Sequence, residues 1–318
     1  MSCLLVSSAF ARTLTVGDGT AYPRPSDAAR AAQPGDRIQI QPGTYYDCAV
    51  WLADGLVIEG SGPETVLTDT ICQGKAIFVI VGRGITVQDL VLSRARAQDE
   101  NGAGIRAEGP NLRVHRVKFE NNQNGLLAAN LQDSELQIKD CTFVSNGVSN
   151  ASHQTASLLV GSSGKLSIQD SKFEQDRGQT TILSQATVTE IADSQIATPE
   201  GAKGIAIRVS GGLVLERSIL EFRREPDASR TALMIFPGDP SLPLIVRNTT
   251  LQGSGTLLLN WSGRISTMEE NRLDASSILE TTSGAWFYRA RTNMRQVYDA
   301  VRAGARALKR HTGERLPQ

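Results

Sequence analysis

The chain repeats one short pattern of apolar positions. Two apolar residues at alternate positions are followed by a polar gap, a second apolar pair and a cluster of Asn and Gly, as in NLRVHRVKFENNQNGLL at 111–127. Related stretches occupy 135–148 and 165–178. Alternation with a period of two over so few residues predicts short β-strands with one buried face. The polar gap and the Asn/Gly cluster predict bends, and we expect Gly125 to provide a bend residue with positive φ.

The repeat has a nearly constant length. Strands this short cannot bury their apolar face alone, but coils stacked on one another can. A unit of this length with three bends predicts an all-β fold, a right-handed parallel β-helix. We also expect Asn121 or Asn122 to stack on Asn146 one coil later, where amide side chains satisfy bend backbone groups. The last apolar position recurs at intervals of 22 to 31 residues, at Leu67, Leu92, Phe119, Phe143, Phe173, Ile196, Leu220, Leu251 and Leu273.

Both ends of such a rod expose strand edges and need covers. The stretch SDAARAA predicts a short N-terminal capping helix with Ser26 or Asp27 as its N-cap. Residues 291–311 place apolar side chains on one face of a C-terminal amphipathic helix and basic side chains on the rest. We expect this helix to cap the last coil; binding to an anionic polymer, a membrane surface or a partner helix are alternatives. The predicted boundaries are 1–11 for a signal peptide, 12–36 for the N-terminal cap, 37–275 for the β-helix and 276–318 for the basic tail.

Charge is distributed unevenly along a chain whose formal net charge is zero. Residues 289–318 contain eight Lys/Arg and two Asp/Glu, so the other 288 residues carry a small negative charge. A neutral protein of this kind is not expected to bind nucleic acid. The three histidines and the scattered cysteines do not form a metal-ligand pattern, and we expect neither a metal nor a cofactor.

The N-terminal residues resemble the end of a secretory signal. Residues 4–9 read LLVSSA, a short and largely apolar stretch, and Ala9-Phe10-Ala11 has the small-x-small pattern that signal peptidase reads. This predicts an extracytoplasmic protein whose signal is incomplete; a frayed cytosolic N-terminus is the alternative. Elsewhere no run approaches about 18 consecutive apolar residues, so no transmembrane segment is expected.

Two stretches carry a family resemblance. The segments GDRIQIQPGTY at 35–45 and NGAGIRAEGPNLRVHRVKFENNQNGLL at 101–127, after a capping helix, resemble the right-handed β-helix proteins of the pectin-lyase-like superfamily. The resemblance covers most of 13–275. It implies an exported protein that acts on or binds polysaccharide. It also implies that Cys48 and Cys72, one coil apart, form a disulfide between adjacent coils.

The chain departs from its bacterial relatives where their polar residues lie. Those relatives resemble this chain in the coil after the Asn bend but carry His and Tyr there, whereas 155–161 reads TASLLVG. One coil later they carry Gly-His and then Lys-Ser-Arg-Ala, whereas this chain has Gly178-Gln179 and then LSQA at 183–186. The comparison implies a relative that has lost its catalytic site.

Isolated polar residues remain as candidate site residues. Elimination from a uronic acid needs a group that neutralises the carboxylate, a base and a proton donor; hydrolysis needs two carboxylates facing one groove. The weak catalytic candidates are Asp99, Glu100, Arg106, His153 and Arg208. Solvated turn charges are the structural alternative for the first two, and Arg208 could bind a carboxylate bidentately. Trp51, Trp261 and Trp286 could stack on sugars or pack in the protein.

Three functions are consistent with these features. The first is an exported β-helix protein that binds or scaffolds an envelope or extracellular polysaccharide with little or no catalysis. The second is an active polysaccharide lyase, hydrolase or epimerase. The third is a structural or adhesion protein. Fold analogy does not decide among them.

Overall fold

A computed structural model describes the chain in seven segments: 11–149, 151–152, 154–198, 205–222, 231–236, 239–253 and 256–273. These residues form a solenoid of parallel strands, so the predicted parallel β-helix is confirmed. Residues 1–10 of the predicted signal and 276–318 of the predicted basic tail lie outside the described residues.

Each coil contributes strands to three columns, and neighbouring strands within a column pair in parallel. The first column contains β1 Thr13–Val16, β2 Arg37–Ile40, β5 Val57–Glu59, β8 Thr86–Ser93, β10 Arg113–Glu120, β12 Leu131–Lys139, β15 Ser163–Gln169, β18 Val188–Ala192, β21 Gly212–Glu216, β24 Leu244–Arg247 and β27 Thr267–Glu269. The second contains β3 Gly43–Tyr45, β6 Thr65–Thr68, β13 Thr142–Val144, β16 Lys172–Glu174, β19 Gln195–Thr198, β22 Ile219–Phe222, β25 Thr250–Gly253 and β28 Arg272–Leu273. Long strands β8 and β10 run through the bend and join these two columns into one sheet of 19 strands. The third column is a separate nine-stranded sheet of β4 Ala49–Trp51, β7 Ala76–Ile80, β9 Ala103–Ala107, β11 Asn124–Ala128, β14 Leu158–Val160, β17 Thr180–Ser184, β20 Ile205–Val209, β23 Thr231–Ile235 and β26 Thr256–Asn260.

The interior is a continuous apolar column in which equivalent residues of successive coils touch. The rings of Phe119, Phe143 and Phe173 stack with centroids 4.5 Å apart and planes within 9° of parallel. All three are fully buried. Gly125 lies against this stack and does not have positive φ, contrary to the sequence prediction. A Cβ there would lie 2.7 Å from the Phe143 ring and 2.4 Å from the carbonyl oxygen of Ser157, so close packing explains the glycine.

The bend between the first two columns places one residue per coil in the left-handed region. In the later coils, the residue after it is a buried Ser or Thr: Ser171, Ser194, Ser218 and Thr249. The backbone N–H groups of Ser171 and Ser194 donate to the hydroxyls of Ser194 and Ser218, each at 3.1 Å. Cys141 occupies the same position in an earlier coil, and burial raises the pKa of its thiol to about 12. The left-handed residues, with φ between 45° and 58°, are Asp89, Arg116, Asp140, Asp170, Asp193, Arg217, Asn248 and Glu270.

A short helix, α1 (Pro25–Ala31), covers the first coil. It begins at Pro25 with Arg24 as the N-cap, two residues before Ser26, the nearer of the two predicted N-caps, because proline at the first helical position already has helical φ. Asp27 accepts the backbone N–H of Arg24 at 3.2 Å. Ala28 is fully buried in the main core. A single 3₁₀ turn spans Gly62–Glu64.

Candidate functional site

The predicted arginines lie on the outer surface of the nine-stranded sheet, but far apart. The strand register places Arg106, Leu127, Leu159, Leu183 and Arg208 side by side in successive coils. Four coil steps of about 4.8 Å put roughly 19 Å between the two arginine backbones. Leu127 and Leu183 are only 4% and 8% exposed, so apolar packing occupies the interval. The two arginines therefore do not form one site.

Arg106 belongs to a small ionic cluster. The Glu108 carboxylate accepts a hydrogen bond from Lys75 Nζ at 2.7 Å and lies 3.6 Å from Arg106 Nε. This arrangement favours a structural ion pair over general acid–base chemistry.

Asp99 and Glu100 organise a turn. The carboxylate of Asp99 accepts the backbone N–H of Asn101 at 3.2 Å. Glu100 has φ of 61° and accepts the backbone N–H of Ser152 at 3.3 Å, which ties two loops together. His153, predicted as a candidate base, lies outside the described residues. The acidic candidates thus act as turn residues, the alternative that the sequence left open.

Arg208 packs against an aromatic ring. Its guanidinium carbon lies 4.2 Å from the centroid of Phe236, and Nη1 is 3.4 Å from the Gln154 side-chain oxygen. Phe236 in turn makes an edge-to-face contact with Trp261 at 5.3 Å. Trp51 is fully buried, which excludes it as a sugar platform; Trp286 lies outside the described residues.

A different group of arginines surrounds a cleft at the bend between the second and third columns. We call this the arginine cleft; it measures about 350 Å³ and is open to solvent. The left-handed residues of this bend include Arg94, Asn121 and Ser145, with φ of 55° to 58°. The cleft is lined by Ser93, Arg94, Glu120, Asn121, Ser145 and Arg177.

Arg94 is neutralised within the protein. Its Nε and Nη2 donate to the two carboxylate oxygens of Asp69 at 2.8 and 2.6 Å. This pairing is the main reason that the pKa of Arg94 is raised and that of Asp69 lowered. Arg94 therefore brings no uncompensated charge to the cleft.

Arg96 and Arg177 are not neutralised. Both donate to the side-chain oxygen of Asn121, Arg96 from Nη2 at 2.8 Å and Arg177 from Nη2 at 2.5 Å. Their other acceptors are backbone carbonyls, including that of Ser145 at 2.6 Å from Arg177. Within the described ranges no carboxylate lies within 4.0 Å of either guanidinium. Burial lowers the pKa of Arg96, and repulsion from Arg177 adds to that shift.

The coil register explains why these two arginines meet. Each stands four residues after an inward-facing residue, Leu92 for Arg96 and Phe173 for Arg177, at equivalent positions three coils apart. Sequence reasoning missed them because it examined outward residues of strands and ignored the residues that follow the bend. The shared offset from the repeating apolar position was a usable signal.

The residue that directly precedes Arg177 in the chain carries a buried carboxylate. Asp176 is 2% exposed and occupies the position that Asn122 and Asn146 hold in earlier coils. Its oxygens accept backbone N–H groups of Ser157 at 2.9 Å and Gly178 at 2.6 Å. Burial raises the pKa of Asp176 to about 7, while these hydrogen bonds act in the opposite direction. Asp176 fixes the backbone that presents Arg177.

The described residues contain no cluster of three His, Cys, Asp or Glu side chains suited to a metal ion. None of the helices among them is both long and apolar enough to span a membrane. The sulfur atoms of Cys48 and Cys72 are bonded, linking adjacent coils near the start of the solenoid.

Comparison with known proteins identifies the fold. The structure is similar to a pectin methylesterase from Aspergillus niger at a TM-score of 0.50 and 15% identity, over 86% of this chain and 91% of that one. Similarity also extends to a pectin methylesterase from carrot (TM-score 0.48, 14% identity, 88% and 91% covered) and an alginate lyase from Paenibacillus sp. (0.46, 11%, 85% and 98%). No family model matches the sequence, and no curated protein is significantly similar to it. At 15% identity, the likeness to the Aspergillus niger protein shows the fold, a parallel β-helix, as the sequence resemblance implied.

Proposed function

We propose that this protein binds an acidic polysaccharide through the arginine cleft and does not cleave it. The observation that carries the proposal is the convergence of Arg96 and Arg177 on the Asn121 oxygen. The two donor nitrogens lie no more than 5.3 Å apart, the sum of the two hydrogen-bond lengths. Two like charges held this close repel each other. An anion between them removes that repulsion.

A carboxylate is the anion that suits this geometry. Guanidinium groups bind carboxylates through paired, parallel N–H donors, and such hydrogen bonds are about twice as strong as those between neutral groups. Among the described acceptors, none pairs with Nε or Nη1 of Arg177, so these donors remain for a ligand. The residues that line the cleft, from Ser93 to Arg177, come from several successive coils, and the cleft is open to solvent. A polymer with carboxylates can therefore lie along it.

Non-catalytic binding is favoured by the groups around the cleft. Glu120 is the single carboxylate among the lining residues, and Lys118 lies 2.9 Å from it. Inverting and retaining hydrolysis both need two carboxyl groups facing the bond, and elimination needs an available base. On the nine-stranded sheet, the positions between Arg106 and Arg208 are occupied by Leu127, Leu159 and Leu183. Apolar side chains therefore separate these two candidate residues.

Export is part of the proposal. The largely apolar stretch LLVSSA at 4–9 and the motif at 9–11 support a secretory signal. The disulfide between Cys48 and Cys72 also supports an oxidising compartment, where such bonds persist. A polysaccharide of the envelope or extracellular space is then the accessible partner.

The test is calorimetric titration with polygalacturonate and alginate, with neutral dextran as the reference polymer. We expect binding to the acidic polymers, weakened at least tenfold by Arg96→Ala or Arg177→Ala. The matched control is Arg113→Ala, an exposed arginine on β10 away from the cleft, which should bind like the wild type. Equal affinity of all variants would refute the cleft as the site.

The same incubations test for catalysis. Elimination from a uronic acid polymer creates an unsaturated product that absorbs ultraviolet light, and hydrolysis creates reducing ends. We expect neither signal to rise above a protein-free control. A product signal that is lost in Arg177→Ala would contradict non-catalytic binding and favour the lyase hypothesis. Absence of binding to any polymer would favour a structural or adhesion role.

A further inference from the structure

An exposed aromatic residue stands at one end of the arginine cleft. Tyr46 is 68% exposed and has no hydrogen-bond partner among the described residues. It directly follows β3, whose last residue, Tyr45, pairs with Leu67. Tyrosine combines an apolar ring with a polar hydroxyl and is enriched at binding interfaces for that reason. The other described tyrosines near this end, including Tyr45, are at least half-buried.

The strand register places Tyr46 in line with the cleft. Continuing the pairing of Tyr45 with Leu67 by one residue sets Tyr46 beside Thr68, which pairs with Ser93. Ser93 in turn pairs with Glu120, and both line the cleft. Tyr46 is thus at the end of the same row of residues. It is also close enough to Arg94 to contribute, after Asp69, to the raised pKa of that arginine.

We propose that the bound ligand is an oligosaccharide that runs parallel to the rod axis, with one sugar ring on the Tyr46 side chain and a carboxylate between Arg96 and Arg177. This inference rests on the proposed function and adds the ligand's minimum length and direction. Three coil steps separate Tyr46 from Glu120, roughly 14 Å, which one sugar ring cannot bridge. The flat face of an aromatic ring contacts the C–H face of a sugar, and the phenol hydroxyl stays in water.

In this arrangement, the arginines and the tyrosine contribute to affinity in different ways. The arginine pair recognises any single carboxylate, so a uronic acid monomer binds there weakly. The tyrosine contributes only when the ligand is long enough to reach it. Affinity therefore increases with chain length up to the span of the row, and that increase depends on Tyr46.

The experiment measures affinities for galacturonic acid, its dimer and oligomers of four to six residues. For the wild type we expect a rise of at least tenfold between dimer and the longer oligomers. Tyr46→Ala should abolish this rise and leave the affinity for the monomer unchanged, and Tyr46→Phe should retain it. Leu52→Ala, which removes an apolar side chain of 66% exposure outside the cleft, is the matched control and should behave as the wild type.

The outcomes separate this inference from the function on which it rests. One outcome is that oligomers bind in a way that requires Arg177 but keep their full affinity for Tyr46→Ala. In that case the stacking position is wrong, while the cleft remains a binding site. If no acidic ligand binds the wild type, the proposed function fails and this inference fails with it. A rise that depends on Tyr46 but not on Arg177 would overturn the direction proposed for the chain.

Discussion

The amide nitrogen Nδ2 of Asn122 donates to the side-chain oxygen of Asn146, one coil away, at 3.1 Å. Both residues are fully buried, and they form the polar ladder that the sequence predicted at this bend. The same oxygen of Asn146 accepts the backbone N–H of Asn122, and its Nδ2 donates to the carbonyl of Phe119 at 2.9 Å. The ladder thus satisfies backbone groups that water cannot reach.

We expect Asn146→Ala to destabilise the protein by about 3 kcal/mol, because it leaves several buried polar groups without partners. Chemical denaturation monitored by circular dichroism measures this change. Ser145→Ala, one residue earlier at a half-exposed position of the same bend, should change the free energy of unfolding by less than about 0.5 kcal/mol. Similar losses in both variants would show that the ladder adds no specific stability.

The buried carboxylate of Asp176 predicts a dependence of stability on pH. Its folded-state pKa of about 7 lies above the ordinary value of 3.8, so the folded protein holds this proton more tightly than the unfolded chain does. The stabilising contribution is therefore complete below about pH 4 and is lost as pH rises through about 7. Linkage puts the loss on the order of 4 kcal/mol.

Measuring the free energy of unfolding between pH 4 and 8 tests this dependence. Asp176→Asn should remove the decline, and the variant should be less stable than the wild type at pH 4, because one acceptor for a backbone N–H is lost. The paired acids Asp36, Asp69 and Asp193 have lowered pKa values, so their effects fall below this window. If the free energy of unfolding falls with pH equally in variant and wild type, Asp176 is not the cause of the decline.

The disulfide between Cys48 and Cys72 should stabilise the first coils. It closes a segment of 24 residues, for which the loss of unfolded-chain entropy corresponds to about 3 kcal/mol. We expect the double variant Cys48→Ser/Cys72→Ser to unfold at a lower denaturant concentration and to be insensitive to reductant. Cys141→Ser is the control: serine occupies the equivalent bend position in later coils, so its effect should be small.

The ring stack predicts the effect of a cavity in the core. Phe143 lies between Phe119 and Phe173 and is fully buried, so Phe143→Ala should cost about 3–5 kcal/mol. Phe143→Leu, which matches Leu92 and Leu220 in other coils, should cost about 1.5 kcal/mol or less. Thermal unfolding of the two variants checks that alanine costs more stability than leucine. An equal loss for leucine and alanine would indicate that ring stacking dominates over filled volume.

The sequence by itself determined the repeating coil. Alternation around positions such as Leu112, Val114 and Phe119 requires short strands with one buried face, and its regular spacing requires those strands to stack. Asn122 and Asn146 could be placed in a ladder because equivalent positions of a solenoid lie on top of one another. Gly125 was predicted as a bend residue with positive φ, but it lies in β11, where close packing requires a glycine. A sequence does not distinguish these two reasons for a glycine.

The proposed binding site depends on the tertiary structure. Coils of unequal length and long side chains determine which polar groups meet, and neither is fixed by local pattern. Arg106 and Arg208 share one row of the sheet yet are separated by leucines, whereas Arg96 and Arg177, three coils apart, reach the same oxygen of Asn121. A repeat fixes the positions of backbones, but the reach of each arginine side chain across neighbouring coils depends on packing that only the folded solenoid provides.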